Sequence, residues 1–134
     1  MTVATATRAD LQSSGPICIV DDDQAVADSL QVLLETNGFS VQCFASGQEF
    51  LAGAPRRCGC LVIDHHIPGM NGLDVIDRLR REAVDLPVIL ISGRLDPAIR
   101  QRAAGLGVTK ILEKPFSVGR ITGLIHSALA ERRR

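Results

Sequence analysis

The chain has no tryptophan, no tyrosine and only four phenylalanines among its 134 residues. Single-stranded nucleic acids stack their bases on such rings, so this scarcity argues against nucleic-acid binding. Net charge is equally absent, because 15 basic residues balance 15 acidic ones. A surface built for a polyanion or an anionic membrane carries an excess of one sign. Long hydrophobic runs are missing too: none approaches the roughly 20 apolar residues a membrane span needs, and residues 1–16 hold no signal-peptide core. Cys18, Cys43, Cys58 and Cys60 fit neither a C-x-x-C redox pair nor a zinc-ligand spacing. They read as free thiols used as small buried hydrophobes, which points to a reducing cytoplasm.

What the chain does have is a series of short apolar runs that each end on a polar residue. Ile17–Val20 runs into Asp21-Asp22, Cys60–Ile63 into Asp64, Val88–Ile91 into Ser92, and Val108–Leu112 leads to Lys114-Pro115. Short apolar runs bounded by polar residues are the mark of strands buried on both faces of a parallel sheet. Parallel strands deliver their carboxyl ends to one edge, where open α/β folds place their chemistry. Three carboxylates, a hydroxyl and an ammonium should therefore meet there, a set suited to a hard cation and a phosphoryl group.

Helical patterns separate the runs. Asp23 caps a helix reaching about Thr36, striped by Val26, Leu30, Leu33 and Leu34 and stopped by Asn37-Gly38. Phe39–Phe44 reads as the second strand. Ser46 and Glu49 form a capping-box pattern opening a short helix that ends near Gly53. Pro68–Gly72 reads as a turn before a helix striped by Leu73, Ile76 and Leu79. Asp96-Pro97 starts another helix and Ser117 the last, whose inward stripe is Ile121, Leu124, Ile125 and Leu129. The alternation of strand and helix predicts an α/β fold, a doubly wound five-stranded parallel sheet covered on both faces. Residues 17–131 form the domain, with residues 1–16 a disordered leader and Arg132–Arg134 a basic, solvated tail.

In that order, Ile-Val-Asp-Asp-Asp, Leu-Val-Ile-Asp-His-His-Ile-Pro-Gly-Met-Asn-Gly, Ile-Leu-Ile-Ser-Gly and Leu-Glu-Lys-Pro-Phe resemble the receiver domain of two-component response regulators. The surroundings of Lys114 are most similar to receivers of the nitrogen-fixation regulator type. The resemblance implies the flavodoxin-like strand order 2-1-3-4-5 and a phosphoryl group passed from a histidine kinase's phosphohistidine to Asp64. It also implies a magnesium ion, with Asp22 and Asp64 as first-choice direct ligands, Asp21 acting through water, and the His66 backbone carbonyl completing the protein's share. Ser92 and Lys114 would grip the phosphoryl oxygens, and a cis Lys114-Pro115 peptide would aim the lysine.

Two departures stand out. The family often uses an aromatic residue on the fifth strand as a switch, and Ile111 occupies the matching position. The two positions that tune phosphoryl lifetime correspond to His66 and Arg94. The implied partners are a sensor kinase or phosphotransfer protein and either a downstream protein or an output domain of the same protein, with a homodimer possible. Neither nucleic acid nor membrane is expected to bind this domain itself.

Other readings bear on the same residues. Asp21–Asp23 could simply open a helix, and Asp64 could be a turn residue. An aspartate-nucleophile phosphohydrolase of the haloacid-dehalogenase kind would carry Asp-x-Asp, but His66 stands at the second position. A flavin or nucleotide binder would need a phosphate cradle after the first strand, where three aspartates repel phosphate. Adjacent His65 and His66 would face opposite sides of a strand, which disfavours a shared metal. His126 reads as a surface or boundary residue.

Overall fold

The computed structural model describes residues 15–53, 55–108 and 110–132. The strands are β1 (Ile17–Val20), β2 (Val41–Phe44), β3 (Cys60–Asp64), β4 (Val88–Ser92) and β5 (Lys110–Glu113). All neighbouring pairs run parallel in the order β2-β1-β3-β4-β5, as expected. The helices are α1 (Gln24–Thr36), α2 (Gly47–Ala52), α3 (Gly72–Arg81), α4 (Pro97–Gly105) and α5 (Val118–Arg132), and a short 3-10 turn covers Pro55–Arg57.

Side-chain alternation along the strands divides the core into two layers. Ile17, Ile19, Cys60, Val62, Ile89 and Ile91 pack with Leu30 and Leu34 of α1 and with Ile121 and Ile125 of α5. Their neighbours Cys18, Val20, Leu61, Ile63, Val88 and Leu90 face the other way, onto Phe50 of α2, Leu73 and Ile76 of α3 and Ala103 of α4. Both sheet faces are thus buried, which is why the strands read as continuous apolar runs.

The caps follow the sequence closely. The Asp23 carboxylate accepts from the N–H groups of Ala25 and Val26, Ser46 Oγ from Glu49, Asp96 from Ile99 and Ser117 Oγ from Arg120. The Glu49 carboxylate reaches back to the N–H of Ala45, so the expected box closes one residue early. Gly38 takes φ 91°, and the N–H groups of Gly38 and Phe39 close the end of α1 on Glu35 and Leu34.

Some boundaries move. Phe39 is buried in that helix closure, so β2 begins at Val41 rather than Phe39. The Val108 N–H is likewise taken by Ala103 O at the end of α4, and β5 is assigned from Lys110. The part of the expected leader up to residue 14 lies outside the described residues. Its last two residues already belong to the sheet's entry, since Pro16 O accepts from the Gly59 N–H at 2.9 Å. At the other end, Arg132 departs from the solvated-tail reading. It forms the last turn of α5, and its guanidinium donates to the carbonyls of Cys58, Gly59 and Asp85. Arg80 of α3 similarly donates to the carbonyls of Val84, Leu86, Leu106 and Gly107.

Candidate functional site at the carboxyl edge of the sheet

Register brings the carboxyl ends of the strands into line. Val20 lies between Phe44 and Ile63, Asp64 beside Ile91, and Ser92 beside Glu113. The backbone ladder then continues past the strands: Asp21 N–H donates to Phe44 O, His65 N–H to Ile91 O and Lys114 N–H to Ser92 O. Each candidate residue is therefore fixed at its backbone before its side chain is considered.

The centre is an ion pair. Lys114 Nζ lies 2.7 Å from a carboxylate oxygen of Asp64, the lysine side chain 36% exposed and the aspartate 6%. A half-open pair of this kind adds only about 0–1 kcal/mol to stability, so it is better understood as setting the local charge than as holding the fold. The Lys114-Pro115 peptide is cis, as expected. Burial alone would lower the Lys114 pKa. The hydrogen bond to Asp64 and the charges of Asp64, Asp21 and Asp23 outweigh it, holding the ammonium above its usual range.

Asp21 is the second buried carboxylate, 5% exposed, and accepts from the Asp23 N–H at 2.9 Å. Burial, and then the charge of Asp64, push its carboxyl above the ordinary value, although the Asp23 N–H and Lys114 pull the other way. Asp22 differs: it lies exposed at the bend after β1. The sequence reading gave Asp22 and Asp64 as first-choice direct ligands with Asp21 acting through water; in the structure Asp21 is buried and Asp22 exposed. The reason is the ladder, which holds Asp21 in line with β1 while Asp22 already belongs to the turn. Among the described residues no three His, Cys, Asp or Glu side chains are grouped closely enough to hold one ion. Lys114 serves Asp64 as its immediate counter-charge.

The remaining oxygens form a second cluster. The other Asp64 carboxylate oxygen accepts the His66 backbone N–H at 3.0 Å. Ser92 is fully buried, and its Oγ donates to Arg94 O at 2.7 Å and accepts from Arg94 N–H at 3.1 Å. His66 Nε2 stands 3.3 Å from the same Oγ. The strand-alternation argument does not govern the two histidines, because β3 ends at Asp64. Their rings meet edge-on with centroids 5.0 Å apart, His65 buried and His66 exposed. Burial, His66 and Arg102 push the His65 pKa down, and its Nδ1 is buried without a hydrogen-bond partner. Gly72 opens α3 directly behind the acidic centre: a Cβ there would stand 2.9 Å from Asp64 O and from His65 Cα.

Three features were missed in the sequence. Asn71 caps α3 in a full capping box with Asp74, a signal hidden inside what read as a turn. The His66–Ser92 contact joins residues 26 apart in sequence. Arg102 on α4 reaches back 2.9 Å to Asp74. Ile111 is half-buried against the α2–α4 layer, and with Leu95, Pro115 and Phe116 it lines a crevice between β5 and the flanking loops. His126 is half-buried, its ring 5.0 Å from that of Phe39, as befits a boundary position. All four cysteines are free; burial pushes the Cys60 thiol up to about 12.

A doubly wound parallel sheet with a carboxylate–lysine pair and a buried hydroxyl on its carboxyl edge is an open α/β domain with its candidate site where such folds place their ligands. Residues 17–126 match the family model of the response regulator receiver domain, and the chain belongs to that family. It is 35% identical to the transcriptional regulatory protein FixJ of Bradyrhizobium diazoefficiens, over 90% of this chain and 60% of that protein. It is 40% identical to the response regulator protein TodT of Pseudomonas putida, over 84% of this chain and 50% of the relative. The chain therefore spans only about half to three-fifths of the length of these relatives. The crystal structure of FixJ-N superposes with a TM-score of 0.79 at 35% identity, covering 87% of this chain and 94% of the other. A receiver domain from Clostridium thermocellum shares the fold, with a TM-score of 0.82, 21% identity and coverage of 89% and 97%. The phosphohydrolase alternative finds no support among these matches.

Proposed function

We propose that Asp64 is the phosphoryl acceptor of this receiver domain and that a histidine kinase's phosphohistidine is the donor. An Asp64 oxygen forms a bond to phosphorus as the P–N bond to the donor imidazole breaks. The imidazole leaves with that electron pair and takes up a proton, and Asp64 becomes an acyl phosphate. The observation that carries this reading is the buried Asp64 carboxylate with an ammonium 2.7 Å away at the sheet's carboxyl edge. Lys114 is placed to neutralise charge arriving on the transferring oxygens, and Ser92 to donate to another of them.

The donor set also suits magnesium, which favours hard oxygens, uses one or two carboxylates and keeps several waters rather than needing a closed protein cage. Burial first, and then the charge of Asp64, raises the Asp21 pKa, and a cation held there would favour its charged form. Asp21, Asp22, Asp64 and the His66 carbonyl would hold the ion. When bound, it would further neutralise charge on the phosphoryl oxygens.

Phosphorylation would then switch protein contacts, either to a separate partner or to an output domain like those implied by the transcriptional regulatory relatives. The free thiols favour a reducing cytoplasm as its setting. Incubation with acetyl phosphate and magnesium, followed by intact-protein mass spectrometry, tests the chemistry. One phosphoryl group should be gained by the native chain and none by Asp64→Asn; a modified Asp64→Asn chain would refute the assignment.

A further inference from the structure

The phosphoryl chemistry uses none of the four free cysteines, and two of them meet away from its site. Cys18 lies in β1 and Cys58 in the turn before β3, and both are buried in the core layer that faces α2 and α3. The backbone sets them side by side. The Gly59 N–H donates to Pro16 O at 2.9 Å, the Cys58 N–H donates to Pro55 O at 3.1 Å, and Arg132 holds the carbonyls of Cys58 and Gly59. With the turn fixed at those points, the Cys58 thiol donates to Cys60 O at 3.2 Å, and its sulfur is hydrogen-bonded to the Cys18 thiol. The other two cysteines stay out of this contact. Cys60 and Cys43 pack in the opposite layer, and the Cys43 thiol faces Gln31 Oε1 at 3.5 Å.

Two thiols can form a disulfide without rearranging the fold only where the backbone already brings them together. The shared hydrogen bond favours the Cys18 thiolate and disfavours that of Cys58, which separates an attacking thiol from a resolving one. We propose that Cys18 and Cys58 form an oxidation site, which a peroxide converts to a disulfide within the folded domain. The bond would tie the strand leading to Asp21 to the turn leading into β3. The Cys18 thiolate attacks one peroxide oxygen as the O–O bond breaks, and the departing hydroxide takes up the proton the thiol lost and leaves as water. Cys18 is then a sulfenic acid. The Cys58 sulfur attacks the Cys18 sulfur, and the displaced hydroxyl leaves with the Cys58 proton as a second water. Two thiols are oxidised and one peroxide is reduced. Cys58 directly follows the Pro55–Arg57 turn, which buries no side chain of its own, so local opening there admits peroxide while the sheet stays intact.

The test treats the native chain with hydrogen peroxide at neutral pH without denaturant, blocks the remaining thiols, and reads a non-reducing digest by mass spectrometry. A linked Cys18–Cys58 peptide should appear, the intact monomer should lose the mass of two hydrogens, and dithiothreitol should reverse both changes. Because the bond closes a long loop of the unfolded chain, the oxidised protein should melt at a higher temperature than the reduced one. In Cys58→Ala that rise should vanish. The proposal is overturned if peroxide links a different pair, joins separate chains, or carries Cys18 to the sulfinic acid without a bridge. It also fails if the bridge appears only once urea has unfolded the chain, or if the bridged protein melts lower. The mapping uses the native chain, so it decides the matter even where the alanine variant does not fold.

Discussion

The two edges of the sheet solve opposite problems with similar groups. At the amino edge, Arg80 and Arg132 turn their guanidiniums onto seven backbone carbonyls, satisfying chain that would otherwise end without partners. At the carboxyl edge, Lys114 faces Asp64, with Asp21 buried nearby under a raised pKa. One edge sets two guanidiniums on carbonyls; the other buries two carboxylates beside one ammonium. A cation at a sheet edge is therefore not informative by itself. Whether its donors meet carbonyls or crowded carboxylates separates a staple from a site.

Breaking that contrast should give graded effects. Asp64→Asn should abolish phosphorylation outright, measured by intact mass, while leaving the fold in place by circular dichroism. Lys114→Met should slow acetyl-phosphate labelling on the order of 100-fold, as removal of a charge-stabilising donor does elsewhere. At the opposite edge, Arg80→Met should lower stability by about 2–3 kcal/mol in urea titration, since several carbonyls lose a charged donor. Its phosphorylation rate should hold. A large rate loss there would erase the distinction between the edges.

The smallest effect concerns Asp21. A carboxyl with a raised native pKa makes the folded state hold its proton more tightly than the unfolded state does. Stability should then fall as pH climbs from the ordinary value of 3.8 through the raised native value, and the loss persists above it. Asp21→Asn should flatten that dependence and raise stability at neutral pH, read from melts across the pH range.

The sequence made the carboxyl edge far more legible than the amino edge. Asp64, Ser92 and Lys114 each close an apolar run, so strand direction alone predicts their meeting, and Asp23 and Asp96 mark helix starts through local chemistry. Arg80 and Arg132 lie on helices, where an arginine ordinarily reads as solvated, and their partners are carbonyls that every residue carries. No pattern of side chains encodes such a bond. Which of the neighbours Asp21 and Asp22 is buried was hidden for a related reason: one ladder hydrogen bond holds Asp21 in line with β1 while Asp22 lies at the bend. The His66–Ser92 contact needs β3 and β4 side by side, plus ring orientations fixed by His65.

Gly72 carries a consequence for how this sequence can vary. With Asp64 O and His65 Cα both 2.9 Å from where a Cβ would stand, even alanine must push α3 away from the end of β3. Relief cannot come from repacking a flexible side chain, because the obstructing atoms are backbone. Any side chain at this position therefore requires the start of α3 and the end of β3 to move apart together.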